Sequence, residues 1–453
     1  MRTGGRLLAR VLMRVLKVLL LLGLSNLPVL YQRTGWPRTI WIALTLFSAA
    51  FYLLLHILPR LETGVPLRLS VLIGGYELVL CTAISFVIEC GFFLWLCLGS
   101  GWGLSVPRLI ATGVLALTVH FLTLANGFIR IVATSKQIGI LWRVLLILGW
   151  WIPLFNVIPF WKTCRIVLKE FRFEMVKLET FLAEKENEIC KTRYPILLVH
   201  GIFFRDWQIF NYWGRIPREL QRNGAVVYYG GQQSAAPVEV SAAELKEQME
   251  QILQRTGCGK LHIIAHSKGG LDARYAVSRL GMANCVASLT TINTPHRGCL
   301  FVDRLLRIIP DHIVRAVAKR YNAVFRKLGD RDPDFYGGIH ALTAAACAQF
   351  NRTVPDAPEV LYQSVMSRMK KRSSASFPLN LGYILIRPLE GSNDGLVGVE
   401  SAKWGTFLEL LVPSKDRGIS HGDMIDLTRK NIPGFDVGGF YTGVVRDLKD
   451  KGL

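Results

Sequence analysis

Four apolar stretches in the first third of the chain restrict this sequence more than any other feature: about Ile40 to Leu58, Val71 to Leu98, Leu109 to Ile129 and Ile140 to Phe160. Each holds roughly the twenty residues that carry a helix across ~30 Å of hydrocarbon, where every backbone N–H and C=O must be satisfied within the protein. Residues 32–162 are therefore expected to form an all-α transmembrane region of about four spans. Trp36, Trp41, Trp102, Trp142, Trp150, Trp151 and Trp161 gather near the ends of these runs, as interfacial anchors do. A hydrophobic share of 51% and a mean hydropathy of +0.32 agree, and exclude an ordinary soluble enzyme.

The flanks carry charge. In residues 1–31, Arg6, Arg10, Arg14 and Lys17 recur at helical spacing while Leu8, Val11, Leu12, Val15 and Leu19 line another face, which predicts a basic amphipathic segment at the membrane surface. No small-residue cleavage site follows, so a removed signal peptide is not expected. Lys162, Arg165, Lys169, Arg172 and Lys177 follow the last apolar stretch. With both flanks basic, the positive-inside rule predicts an even number of spans with both ends in the cytoplasm, and the plasma membrane is the expected location. A crossing by Val18 to Tyr31 would reverse that orientation. Glu77, Glu89 and His120 fall inside the apolar runs and are expected as packed partners of the bundle rather than a transport path. The formal charge of +21 comes without any nucleic-acid-binding motif, so an anionic lipid surface is the expected partner and nucleic acid is not. The nine cysteines show neither C-x-x-C pairs nor zinc spacing, and no cofactor is implied. Residues 163–192 predict a charged connecting helix, and 193–453 a second domain. Nothing in the sequence indicates an oligomeric state.

That second domain opens on Y-P-I-L-L-V-H-G-I-F-F, a buried strand entering a turn, followed by A-V-V-Y-Y as a second strand. Ser241 to Arg255 predicts a helix whose S-x-x-E start, Ser241 with Glu244, has the form of a capping box. The segment Lys260 to Asp272, K-L-H-I-I-A-H-S-K-G-G-L-D, then reads as strand, tight turn and helix. Such a turn lifts the Ser267 hydroxyl above the sheet and leaves the Lys268 N–H at a helix start, where it can stabilise an oxyanion. Small residues must flank the serine, and Ala265 and Gly269 meet that need around His266 and Lys268. Ala265 departs from the usual glycine by one methyl. V-A-S-L-T-T-I-N-T-P-H-R-G supplies a further strand and turn, and alternating strands and helices predict an α/β domain with a mostly parallel sheet.

H-G-I-F, A-H-S-K-G-G-L-D and T-I-N-T-P-H-R-G, in this order and spacing, resemble the bacterial triacylglycerol lipases of the α/β-hydrolase superfamily. The resemblance continues through L-T-A-A-A-C-A-Q-F-N (Leu342 to Asn351), N-D-G-L-V-G (Asn393 to Gly398) and S-H-G-D (Ser420 to Asp423), and covers Tyr194 to the C-terminus. It implies an α/β-hydrolase fold with Ser267 as nucleophile, Asp394 as acid and His421 as base, in the chain order this fold requires. It also implies Ile202 as the second oxyanion donor, with Gly201 serving backbone geometry. His200 and His296 are expected to shape turns, His266 to point away from the serine, and Asp272 to be structural. Related lipases bind calcium near the histidine. Asp423 matches one ligand, but Leu427 stands where a glutamine would, and Met366 to Glu390, read as leading through a strand from Gly382 to Leu389 towards Asp394, holds no aspartate. No metal is therefore expected, and Asp423 should cap or orient the histidine loop.

Residues 299–338 occupy the place of a lid. Apolar Leu305, Leu306, Ile308, Ile309, Ile313, Val314, Val317 and Phe325 alternate there with Arg304, Arg307, Arg315, Lys319, Arg320, Arg326 and Lys327, the pattern of basic amphipathic helices. The sequence thus predicts a membrane-embedded serine ester hydrolase, a lipase or esterase acting on lipid esters through an acyl-enzyme. An acyltransferase using the same triad, and a transporter or scaffold with an inactive hydrolase domain, are the alternatives.

Overall fold

The computed structural model of the 453-residue chain describes residues 2–59, 64–98, 105–149, 153–184, 188–202, 211–327, 329–412 and 417–453. Two units divide the chain, Met1–Thr180 and Phe181–Leu453.

Among its described residues the regular structure of the first unit is all helix: α1 (Arg2–Ser25), α2 (Leu27–Thr34), α3 (Arg38–Ile57), α4 (Leu67–Leu98), α5 (Val106–Thr134), α6 (Ile140–Gly149) and α7 (Pro153–Glu184). Among the described residues, α3, α4 and α5 are long and apolar enough to cross a membrane. The fourth apolar stretch furnishes no further helix of this kind among the described residues. It is shared between α6 and the start of α7, and Trp150 and Trp151 lie outside the described residues, as does Trp102. Glycines let α4 and α5 approach closely: a Cβ on Gly75 would come within 2.8 Å of the Gly127 carbonyl oxygen, and one on Gly127 within 2.8 Å of Val79. The N-terminal segment is helical and its inner face is buried, with Leu21, Leu24 and Val119 in one apolar cluster. Lys17 reaches Glu77 at 2.9 Å, Arg14 reaches it at 3.3 Å, and Asn26 donates to Glu89 at 2.7 Å. These contacts advance together along both helices, so α1 runs in the same direction as α4. His120 lies 3.0 Å from Ser85 and 2.8 Å from the Ala116 carbonyl. Glu77, Glu89 and His120 are thus packed partners between helices, as the sequence predicts.

In the second unit six parallel strands form one sheet in the order β2-β1-β3-β4-β5-β6. Its elements are β1 (Ile196–Val199), α8 (Ile216–Arg222), β2 (Val227–Tyr229), α9 (Val238–Thr256), β3 (Leu261–His266), α10 (Gly269–Arg279), β4 (Val286–Ile292), α11 (Leu300–Ile308), α12 (Asp311–Lys327), α13 (Phe335–His340), α14 (Ala344–Thr353), β5 (Leu361–Ser367), α15 (Leu379–Glu390), β6 (Thr406–Leu411) and α16 (Val437–Asp450). Successive strand residues face opposite sides. Ile196, Leu198 and Ile264 join Trp213, Ile216 and Tyr441 under α8 and α16, whereas Leu197, Val199, Ile263 and Ala265 join Leu245, Met249 and Ala276 under α9 and α10. Burial of both faces explains why β1 and β3 read as continuous apolar runs.

Two local expectations fail. Gly382 to Leu389 is not a strand but part of α15, whose buried Gly382, Tyr383 and Ile386 recur at helical spacing. Ser241 is not a cap either: α9 starts three residues earlier, behind Pro237, and its Glu244 instead accepts from the Gln233 backbone and side chain, both at 2.7 Å.

Candidate active site

The turn from β3 to α10 holds Ser267 at φ +56°, a left-handed conformation that a non-glycine residue rarely adopts and that the neighbouring chain must enforce. Crowding enforces it. A Cβ on Gly269 would fall 2.3 Å from the His200 carbonyl oxygen, and one on Gly201 would fall 2.7 Å from the Ser267 Cβ. Ala265, paired with Val199 across the sheet, is wholly buried. The Ser267 N–H donates to the Ile292 carbonyl at 3.0 Å, which ties the elbow to the end of β4.

Asp394 is fully buried in the loop after α15. Its Oδ1 accepts from the Leu396 and Val397 N–H groups, both at 2.8 Å, and its Oδ2 lies 2.7 Å from His421 Nδ1 and 2.6 Å from Asn293 Nδ2. The His421 N–H also donates to the Asp394 carbonyl at 2.9 Å, so backbone and side chain fix the imidazole together. Asn293 went unnoticed in the sequence. It sits at φ +50° just past β4, and its carboxamide also accepts from the Ser367 N–H at 3.0 Å. A polar residue closing a buried apolar strand was the available signal.

Asp423 binds Arg417 through Oδ1 at 3.0 Å and Oδ2 at 3.1 Å, and its Oδ2 accepts from the Ser420 N–H at 2.9 Å and hydroxyl at 2.7 Å. It therefore holds the histidine loop, the role expected of it.

For the oxyanion, Gly201 is unavailable because its N–H donates to the Tyr212 hydroxyl at 3.0 Å. Among the described residues, the Ile202 and Lys268 N–H groups meet no acceptor. The Lys268 side chain runs into the core, where Nζ meets Asp272 at 2.6 Å and Ser241 at 3.0 Å. Burial pushes the Asp272 carboxyl up to about 6 against the pull of Lys268. Tyr212 also bonds His266 Nδ1 at 2.7 Å, and the His266 ring lies against that of His421. Burial first, and then the His421 ring, hold His266 well below the ordinary imidazole range, so it stays neutral. His200 and His296 are buried and bonded locally, His200 to the Gln232 carbonyl and His296 to the Thr291 hydroxyl, both at 2.9 Å.

Ser267 opens on a cavity of about 250 Å³ whose lining is otherwise apolar apart from Cys299, including Ile202, Pro295, Leu396 and Val397. Leu305, Leu306, Ile309, Ile313, Val314 and Val317 of the α11–α12 segment form its cover. Arg304, Arg307, Lys319 and Arg320 are exposed on these helices. Arg315 is engaged by Asp311 at 2.6 Å and stacks over Tyr336.

Residues 194–358 match the family model described as alpha/beta hydrolase fold. The second unit has the alpha/beta hydrolase fold, and it is related to triacylglycerol lipases. A triacylglycerol lipase of Pseudarthrobacter phenanthrenivorans is 36% identical over 178 residues, which make up 37% of this chain and 55% of that protein. Triacylglycerol lipase 2 of Saccharomyces cerevisiae is 27% identical over 260 residues, 53% of this chain and 74% of that protein. The crystal structure of Staphylococcus hyicus lipase overlaps 58% of this chain and 97% of its own, at 17% identity and a TM-score of 0.47. The chain spans about half the length of the bacterial relative. All these hydrolase likenesses are partial, and the family model lies wholly within the second unit.

Proposed function

We propose that the protein is a membrane-anchored carboxylic ester hydrolase that cleaves lipid acyl esters, with Ser267, His421 and Asp394 as its catalytic triad. The 2.7 Å contact between Asp394 and His421, together with an elbow serine that opens on an apolar cavity, is the observation that carries this reading. A serine hydroxyl alone is a weak nucleophile. His421 takes its proton as the oxygen attacks the ester carbonyl, and Asp394, accepting from Nδ1, stabilises the imidazolium so formed. The Ile202 and Lys268 N–H groups donate to the developing oxyanion. Collapse of the tetrahedral adduct breaks the ester C–O bond, and His421 returns the proton to the departing alcohol. Water, deprotonated by the same histidine, then releases the acyl group as a carboxylate.

The nearly unbroken apolar lining supports an acyl chain as occupant, and the relatives' description as triacylglycerol lipases supports a glycerol ester. Helices α3, α4 and α5 serve as the membrane anchor, and with α1, which runs parallel to α4 and is packed on α4 and α5, as a fourth crossing, the basic flanks support a catalytic unit on the cytoplasmic face of the plasma membrane. Transfer to an alcohol would use the same groups, and incorporation of labelled water into the released acid separates the two outcomes.

Ser267→Ala tests the assignment. It should abolish ester hydrolysis and labelling by a serine-directed fluorophosphonate while leaving folding and insertion intact, since losing a triad member costs several orders of magnitude in rate. Undiminished labelling of the variant would sink the assignment.

A further inference from the structure

In the first unit, where α2 meets the starts of α3 and α5, an open cavity of about 590 Å³ is lined by both Arg38 and Arg108. Arg38 is the first residue of α3, and Arg108 lies in the first turn of α5. Other arginines of this unit have partners: Arg14 has Glu77, Arg68 has Glu170, Arg130 has the His56 and Leu58 carbonyls, and Arg143 has those of Ser135 and Ile138. Among the described residues, the Arg38 and Arg108 guanidinium groups have none, and no acidic residue lines the cavity. Both side chains are exposed, and two cations facing one space with no carboxylate in its lining, each beside the positive end of a helix, favour an anion there.

The rest of the lining says which kind. Trp41 is buried, its Nε1–H bonded to the Thr34 hydroxyl at 3.1 Å, with Tyr31 edge-on to it at 6.0 Å. From Arg38 an apolar lane descends α3 at one-turn spacing through Ile42 to Leu46, which are 52% and 65% exposed. Charge at the helix ends, aromatic rings beside it and an apolar lane beyond reproduce the polarity profile of one phospholipid molecule. We propose that this cavity binds the phosphate headgroup of an anionic phospholipid through Arg38 and Arg108, with an acyl chain lying along Ile42 and Leu46. The proposal rests on reading α3 and α5 as membrane spans and is independent of ester hydrolysis, because its readout is binding.

The test uses the full chain in neutral detergent, carrying Ser267→Ala so that added lipid cannot be consumed. Phosphatidylglycerol, phosphatidylcholine and inorganic phosphate are titrated separately, with native mass spectrometry counting retained lipid and the thermal midpoint recorded. Phosphatidylglycerol should be retained at one molecule per chain and raise the midpoint, whereas the other two should do neither. Arg38→Gln and Arg108→Gln should each weaken binding roughly tenfold or more, and the pair should abolish the adduct. Thr45→Trp, which keeps both arginines and fills the cavity, should abolish it as well, and serves if the arginine variants fail to fold. Equal stabilisation by inorganic phosphate, equal retention of phosphatidylcholine, or undiminished phosphatidylglycerol binding by the variants would overturn the proposal.

Discussion

The imidazole rings of His266 and His421 lie 4.4 Å apart, centre to centre, with their planes inclined at 53°. Period-two alternation along β3 produces this contact. His266 shares the face of Ile264, under α8 and α16, and there it meets Tyr212, Trp213 and His421. It does point away from the serine, but it lands on the base.

A neutral ring that supports His421 should be replaceable by another ring and not by a methyl. His266→Phe, which keeps the ring and loses the Tyr212 bond, should retain kcat/KM within about tenfold, while His266→Ala should lose up to about a hundredfold as His421 shifts. Steady-state kinetics on a soluble ester read both. Equal losses in the two variants would mean that the Tyr212 bond, not the ring contact, is what matters.

Much of this site was legible because its chemistry forces local sequence. The elbow needs small neighbours, so Ala265 and Gly269 mark Ser267, and Asp394 and His421 sit in loops whose motifs repeat those of a known family. What was illegible depends on chain brought from afar. Asn293 matters only because β4 ends beside the Asp394 loop, and Tyr212 only because it spans Gly201 and His266. The short run Tyr383 to Ile386 fits a strand or a helix equally well until α11 packs against it. The burial of the inner face of α1 was likewise hidden, since Lys17 and Glu77 are sixty residues apart in sequence.

Both Asp423 oxygens are occupied by Arg417 and Ser420, which predicts that the histidine loop is held by an ion pair rather than a cation. Activity should be unchanged by EDTA, and Arg417→Ala should lower stability by about 1–3 kcal/mol, the cost of removing a partner from a buried carboxylate. Loss of activity on chelation, restored by calcium, would refute this.

Acid should weaken the catalytic unit through its buried histidines. Burial lowers His262 from 6.5 to about 4, so between these values the unfolded chain binds a proton that the folded one refuses. Its neutral-form contribution is complete above pH 6.5 and is lost as pH falls towards 4, on the order of 3 kcal/mol in all. Burial also holds His266 and His296 well below the ordinary imidazole range, and they act in the same direction. His262→Gln should therefore flatten the decline of the thermal midpoint between pH 6.5 and 4. An unchanged slope would remove His262 from the account.

Topology follows from the basic flanks. A protease added to intact cells should spare the catalytic unit and cut it only after lysis, if both ends are cytoplasmic. Cleavage without lysis would require an odd number of crossings, as α3, α4 and α5 alone would give. α1 would then lie outside the count, because only its crossing, which its buried contacts with α4 and α5 favour, makes the number even.

The cover over Ser267 joins apolar and cationic surface in one segment. Its Ile308 and Val317 remain 66% and 54% exposed, and Arg304, Arg307, Lys319 and Arg320 stand among them. A cover that only sealed the cavity would have no need of exposed aliphatic groups, whereas one that opens at a bilayer must release apolar surface to it. Cations near anionic headgroups attract by up to about 1 kcal/mol each, and aliphatic side chains can then bury against acyl chains. Arg315 is less suited to this role, being tied to Asp311 and Tyr336. The Lys319→Gln and Arg320→Gln pair should therefore lower hydrolysis of anionic-lipid vesicles far more than that of a short soluble ester. Raised salt should reproduce the loss, because exposed charges are screened within about 10 Å at 0.1 M. Arg315→Gln should depress both substrates together, by loosening α12 from Tyr336. If the Lys319 and Arg320 pair instead lowered both substrates equally, these helices would be ordinary packing elements and opening would not depend on the bilayer.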